Sequence, residues 1–341
     1  MKNRQPDFNE RFRKSLLLRK EPDMLPLGEL GIHPIIKEAY LGRPIETIQD
    51  EIDFAVAAGY DYIKLSPKIV FTPDLSKGSN ERTWASEYEG CISGMEDFEN
   101  FNWPDPDKLN YSHFEEACKI LPDGMKIIGQ YGDIYTLVWT LLGFEDFSFA
   151  MIDNTELIDA LYEKIGGIIY SLFKTMSTFD QIGALWYSDD IAYQTGLMVS
   201  PSHYRDYLFP WMKKIGDLCK ENDYIYLYHS DGILWDVMDD LYDCGVNVLQ
   251  PIERKAMNIK EVKERVGDKF GLIGNVDLSY TLTRGTPEET AEEVKGLIRE
   301  MGPGGGYAVG SENTVPEYVK PECYRAMVDT VKEFGKYPID I

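Results

Sequence analysis

Tyr226-Leu-Tyr-His-Ser-Asp-Gly232 is an apolar, aromatic run that ends in a histidine, a serine and an acid and then turns on a glycine. Such a run reads as a β-strand whose C-terminal end hands polar groups to the start of a helix. The pattern recurs in Ala184-Leu-Trp-Tyr-Ser-Asp-Asp190, Val246-Asn-Val-Leu-Gln-Pro-Ile-Glu253, Phe270-Gly-Leu-Ile-Gly-Asn-Val-Asp277 and Tyr307-Ala-Val-Gly-Ser-Glu-Asn313. A parallel barrel keeps its chemistry at strand ends of this kind.

Further strands are expected at 24–27, 60–65 and 126–130, the first of them short and ending at Gly28-Glu29. Eight apolar strands, most of them separated by helical patterns, predict an α/β fold, a single (β/α)8 TIM-type barrel over residues 1–341. A doubly wound open sheet is the fallback. The stretch 68–110, rich in Gly, Asp, Glu, Trp and Pro, shows no sustained period and reads as an insertion after strand two. Its Trp84, Tyr88, Phe98, Phe101 and Trp103 suit either a lid on the barrel mouth or ordinary satellite packing. An amphipathic helix is expected at 8–18, and Ser200-Pro201 is a good cap and first residue for a helix running to Cys219.

The formal net charge of −23 over 341 residues argues against nucleic acid and anionic membrane as partners, which need Lys and Arg to replace counterions. The five cysteines are scattered, with no C-x-x-C pair, so neither a disulfide framework nor a zinc ribbon is indicated and a reducing cytoplasm is expected. No stretch approaches a membrane span or a signal peptide.

Among four histidines, His229 is placed like a reagent: with Asp231 it ends a strand at a βα junction. A histidine there serves as a metal ligand, as a general acid, or as an imidazole held by a neighbouring strand, and Asp231 is as readily a helix cap. Asp189 and Asp190 end the preceding strand; one is expected to face the pocket near His229 and the other to cap or meet solvent. Glu253, Asp277 and Glu312 end the last three strands and would form a mutually repelling ring unless protonated or metal-bound. Tyr131, Trp186, Tyr187, Tyr228 and Tyr307 lie near strand ends, so that roughly half of them should line the mouth and bind substrate. His33 lies in the first βα connection, whereas His113 and His203 start helices and read as structural. The glycine run 302–306 precedes the last strand and reads as a tight turn at the opposite face rather than as a phosphate loop.

The Asp-Asp strand end before Gly196-Leu-Met-Val-Ser-Pro-x-x-Tyr204-Arg205, the His229-Ser-Asp-Gly end, Gly274-Asn-Val-Asp277 with Thr286-Pro-Glu-Glu289, and the Tyr307 strand leading to Pro321 together resemble the uroporphyrinogen decarboxylase superfamily over nearly the whole chain. That resemblance implies a (β/α)8 barrel and one of two chemistries, porphyrinogen decarboxylation or corrinoid-dependent methyl transfer. The decarboxylases carry an arginine-rich signature just after the first strand, and Leu25-Pro-Leu-Gly-Glu-Leu-Gly-Ile-His-Pro34 contains no arginine. The methyltransferase branch is therefore favoured. Its members often bind zinc through His-x-Cys at the fifth strand end and a Cys after the eighth; His229 matches, but Asp231 replaces the first cysteine and Ser311-Glu-Asn313 offers none. The resemblance thus implies a harder site of His229, Asp231 and Glu312. It also implies a methyl donor such as an aryl methyl ether, and a corrinoid protein as the partner that accepts the methyl group. His229, Asp190 and Asp189 are the expected catalytic residues, and Tyr131, Trp186, Tyr187, Asp277 and Tyr307 the expected substrate contacts. Either a metal draws charge from the leaving oxygen or His229 protonates it.

Overall fold

In the computed structural model, residues 5–71 and 90–341 are described; Trp84 and Tyr88 of the insertion lie outside them. Among the described residues the strands are β1 (Tyr62–Leu65), β2 (Lys126–Gly132), β3 (Ile182–Ser188), β4 (Ala192–Tyr193), β5 (Gly196–Leu197), β6 (Ile225–His229), β7 (Val248–Gln250), β8 (Gly271–Ile273) and β9 (Tyr307–Ala308). Seven of them form one parallel sheet in the order β1-β2-β3-β6-β7-β8-β9, and β4 and β5 make a small antiparallel hairpin after β3. With helices between successive strands, the sheet curls into a (β/α)8 barrel.

The expected first strand, 24–27, is the exception. It joins the sheet through a single parallel bridge, Leu27 with Val309, in which Gly28 N donates to Val309 O and Val309 N donates to Pro26 O. Pro26 has no N–H to extend the ladder. On its other flank the closure runs through a side chain: the Tyr62 hydroxyl accepts from Glu29 N at 2.7 Å and donates to Glu29 O at 2.9 Å.

Local rules explain the helices. Thr47 and Asp50 form a capping box on Ile48–Ala58, which stops at Gly59 in the left-handed region. Thr286 and Glu289 do the same for Pro287–Met301, with proline in the first turn. Ser200 accepts from His203 N and starts helical backbone that continues to Glu221 through a wide turn at Tyr204–Leu208. The N-terminal helical segment puts Phe8, Phe12 and Leu16 into the core. Its Ser15 is tied to the last strand: Gly306 N donates to Ser15 O, and Ser15 Oγ donates to Tyr307 O at 2.9 Å. It therefore plugs the end opposite the polar strand tips, and the glycine turn at 302–306 lies at that closed end. Arg11 anchors the plug through ion pairs to Asp23 and the buried Asp61.

Within the insertion, Phe101 and Trp103 have ring centroids 4.6 Å apart and Phe98 packs on the same indole. Helix Met95–Asn100 contacts the long helix Thr155–Met176, so these aromatics cover a flank of the barrel. No helix among the described residues is long and apolar enough to cross a membrane. None of the five cysteines is in a disulfide.

Candidate active site

Strand alternation decides which side chains meet. Gly132, Ser188, His229 and Gln250 stand side by side across β2, β3, β6 and β7, and one step below them come Gln130, Trp186, Leu227 and Val248. This is the interior face, where Gln130 Nε2 donates to Ser188 Oγ at 3.2 Å and His229 Nδ1 lies 2.7 Å from Gln250 Oε1. Tyr131, Tyr187, Tyr228, Leu249, Leu272 and Tyr307 occupy the opposite phase. That phase faces the helices: Tyr187 packs near Phe173, and a Cβ on the in-phase Gly129 would meet Met176 at 2.9 Å. The aromatic lining expected of Tyr187 and Tyr307 is thus corrected, because both rings are buried in the helix layer. Tyr131, half-buried, shares their phase, and Trp186 is on the interior face but fully buried.

The twin acids after β3 separate cleanly. Asp189 is buried, and its carboxylate accepts from Tyr187 OH (2.6 Å), Tyr135 N (2.7 Å), Thr136 N (3.0 Å) and Thr136 Oγ1 (2.8 Å). It therefore caps the helix Ile134–Leu142, whose own N-cap residue, Asp133, makes no side-chain cap bond. Burial lifts the Asp189 pKa to about 6, against the pull of these donors. Asp190 points the other way: its Oδ1 accepts from Asp231 N at 2.9 Å and lies 3.7 Å from His229 Nε2.

Ligand atoms of Asp190, His229 and Asp231 lie within 4.8 Å of one another. His229 is 7% exposed, and its Nε2 faces Asp190 with no hydrogen bond closer than that 3.7 Å contact. Asp231 Oδ2 accepts from Asn313 Nδ2 at 2.6 Å, whereas Oδ1 is buried without a partner. Burial and the neighbouring Asp190, Glu253 and Glu312 raise the Asp231 pKa to about 6, opposed by His229. Asp133 is exposed at the turn after β2, and packing around it together with the neighbouring Asp189 and Asp190 raises its pKa. Among the described residues no Lys or Arg forms an ion pair with Asp133, Asp189, Asp190 or Asp231.

The other acids at strand tips are occupied by backbone donors. Asp277 accepts from Ser279 N (2.7 Å) and Thr281 N (3.4 Å) and so caps a turn. Glu312 accepts from Leu278 N at 3.0 Å; burial raises its pKa, but its carboxylate is not part of the Asp190, His229 and Asp231 group. Glu253 accepts from Gly232 N at 3.1 Å and from Gln194, tying the β4–β5 hairpin to the loop after His229. His33 caps the helix Pro34–Leu41, accepting from Ile35 N at 3.4 Å. His203, bonded to Tyr162 OH at 3.0 Å, is pushed down to about 4 by burial, and His113 bonds Ser66 O at 3.0 Å.

Sequence reading did not single out Gln250, Asn313, Asp133 or Glu29. Gln250 had a signal: a polar residue in phase with the interior of an otherwise apolar strand. Asp133 had none, since its place depends on a left-handed backbone turn at φ 69°. Glu29 is a buried acid whose two carboxyl oxygens meet, among the described residues, Ser311 N and Ser311 Oγ, both at 2.7 Å, and burial lifts its pKa to about 8.

The family model described as uroporphyrinogen decarboxylase (URO-D) matches residues 86–334. A uroporphyrinogen decarboxylase of Pseudoalteromonas atlantica is 28% identical over 257 residues, which cover 72% of this chain and 70% of that one. One from Pseudoalteromonas translucida is 31% identical over 145 residues, 41% of this chain and 39% of its own. A methyltransferase from Methanosarcina mazei superimposes over 97% of this chain and 99% of its own with a TM-score of 0.72 at 20% identity, a likeness of fold. The match along residues 86–334 takes in the strand tips carrying Asp190, His229 and Asp231, and the chain belongs to the uroporphyrinogen decarboxylase family.

Proposed function

We propose that this enzyme takes a methyl group from a small methylated donor, such as an aryl methyl ether, and passes it to a corrinoid carried by a partner protein. The observation that carries this reading is the convergence of Asp190, His229 and Asp231, whose two carboxylates form no ion pair with a Lys or Arg among the described residues. A porphyrinogen with several carboxylates would meet like charges there, and residues 25–34 supply no arginine to hold them. Unpaired charges of this kind cost several kcal/mol each when desolvated.

The three side chains fit a divalent cation, zinc included: the bare Nε2 of His229 and the buried, unpartnered Oδ1 of Asp231 lack a hydrogen-bonding partner, and Asp190 adds a second carboxylate. In place of the expected Glu312, Asp190 completes the set, because the Glu312 carboxylate is held by Leu278 N. When bound, such a cation would act as a Lewis acid toward the oxygen that leaves the methyl group. The chain's own residues do the positioning. Asp189 pins the helix Ile134–Leu142 to β3, Glu253 and Gln194 hold the β4–β5 hairpin against the His229 loop, and Asp231 N–H fixes Asp190.

The test is incubation with a panel of methoxylated aromatics and methylated amines, a reduced corrinoid protein and a spectroscopic record of methyl-cobalt formation. Methyl-cobalt that disappears on chelation and returns with zinc supports the reading; none with any donor rejects it. A second reading, decarboxylation of a tetrapyrrole or a smaller acid, draws on the uroporphyrinogen decarboxylases that match 72% of the chain. Release of CO2 from uroporphyrinogen would establish it.

A further inference from the structure

The imidazole of His229 is oriented by two residues from other strand ends. Gln250, its neighbour on β7, places Oε1 2.7 Å from His229 Nδ1 and donates from Nε2 to the backbone oxygen of Asn313 at 2.6 Å. A backbone carbonyl only accepts, so the NH2 of Gln250 must face Asn313 and its amide oxygen must face the ring. That oxygen also only accepts, so the proton sits on Nδ1. Neutral His229 therefore keeps its lone pair on Nε2, the atom turned toward Asp190.

Asn313 acts twice. Its carbonyl fixes Gln250 and hence the ring, while its side-chain amide donates to Asp231 Oδ2 and leaves Oδ1 as the unpartnered oxygen. The result is a continuous chain from His229 through Gln250 and Asn313 to Asp231, joining residues far apart in sequence. Two lone-pair donors are thereby presented to one space. If Gln250 were absent, either ring nitrogen could carry the proton and the ring could turn about its Cβ–Cγ bond.

We propose that Gln250 and Asn313 are positioning residues that lock His229 in its Nδ1–H tautomer and present Nε2, with Asp231 Oδ1, as ligands for a cation rather than as proton donors. This inference rests on the cation reading above and chooses between its two versions, since a bare Nε2 has no proton to give to a leaving oxygen. Outer partners that orient a ligating imidazole typically change metal affinity by about 10–100-fold when removed.

Long-range 1H–15N spectra of the imidazole nitrogens, recorded on metal-free, full-length protein at a pH where imidazole is neutral, read the tautomer directly. His229 is assigned by the signals missing in His229→Gln. The wild type should show Nδ1 protonated and Nε2 bare. Gln250→Met, close in shape but without the amide, should show mixed tautomers and bind zinc about 10–100-fold more weakly by calorimetry. A proton on Nε2 in the wild type, or a Gln250→Met protein with unchanged tautomer and zinc affinity, overturns the proposal. Melting curves of each variant separate misfolding from these effects. Zinc that fails to bind a wild type with the expected tautomer counts against the cation reading and not against the tautomer.

Discussion

Asp189 and Asp190 are adjacent acids with opposite duties, and exchanging them for neutral residues should give opposite phenotypes. In Asp189→Leu, the Tyr135 and Thr136 amides and the Tyr187 hydroxyl lose their acceptor in a fully enclosed position, while the Thr136 hydroxyl can turn elsewhere. Three stranded donors at roughly 1–3 kcal/mol each give a gross cost of about 5 kcal/mol. Removing a carboxylate whose burial already lifts its pKa to about 6 returns roughly 3 kcal/mol near neutral pH. The net loss is about 2 kcal/mol, which for a chain of 341 residues is a fall of about 3 °C in Tm. Asp190→Asn keeps an acceptor for Asp231 N–H and should change stability by no more than about 0.5 kcal/mol. On the reading proposed above it removes one of three ligands, however, so zinc affinity, and with it the proposed methyl transfer, should fall at least about tenfold. Differential scanning calorimetry and zinc titration on the same samples provide the comparison. An Asp189→Leu protein that melts like the wild type but has lost zinc binding, beside an Asp190→Asn protein that melts early and binds normally, would refute the assignment.

The buried Glu29 makes stability depend on pH. Its folded pKa of about 8 lies above the ordinary 4.5, so the native state holds a proton that the unfolded chain has lost; the stabilisation is complete below about pH 4.5 and declines up to about pH 8, by up to about 1.4 kcal/mol per pH unit. Glu29→Gln, which can still accept from Ser311 N, should flatten that decline in denaturant unfolding measured at several pH values, and an unchanged slope would place the titration elsewhere. At Gly132 a Cβ would fall 1.7 Å from the Ser188 carbonyl oxygen, so Gly132→Ala should cost more than about 3 kcal/mol or yield insoluble protein; a soluble variant with wild-type melting would contradict the close approach of β2 and β3.

Much of this architecture is written in local pattern. Apolar runs with polar C-terminal ends, spaced by helical periods and capping residues such as Thr47, Ser200 and Thr286, suffice for a parallel barrel and place His229 and its acids at its mouth. Its place just before the last strand likewise assigns the glycine-rich turn 302–306 to the closed end. These features depend on residues close together in the chain, where propensity and capping operate.

Other features depend on partners brought together only by closure. Alternation says that neighbouring residues on a strand face opposite ways, but the phase is set by register with the next strand. Tyr187 and Tyr307 therefore went to the helices once Ser188, His229 and Gln250 aligned on the interior. The choice between Asp189 and Asp190 rests on amides at Tyr135 and Thr136, more than fifty residues earlier. Pro26 limits the first strand to one bridge with Val309, a partner at the far end of the chain. The tautomer of His229 hangs on Gln250 and Asn313, which are 63 positions apart. What the sequence by itself determined is the set of strand tips and the residue types they carry; tertiary structure decided which of those side chains share a space, because a hydrogen bond depends on positions in three dimensions that no local pattern encodes.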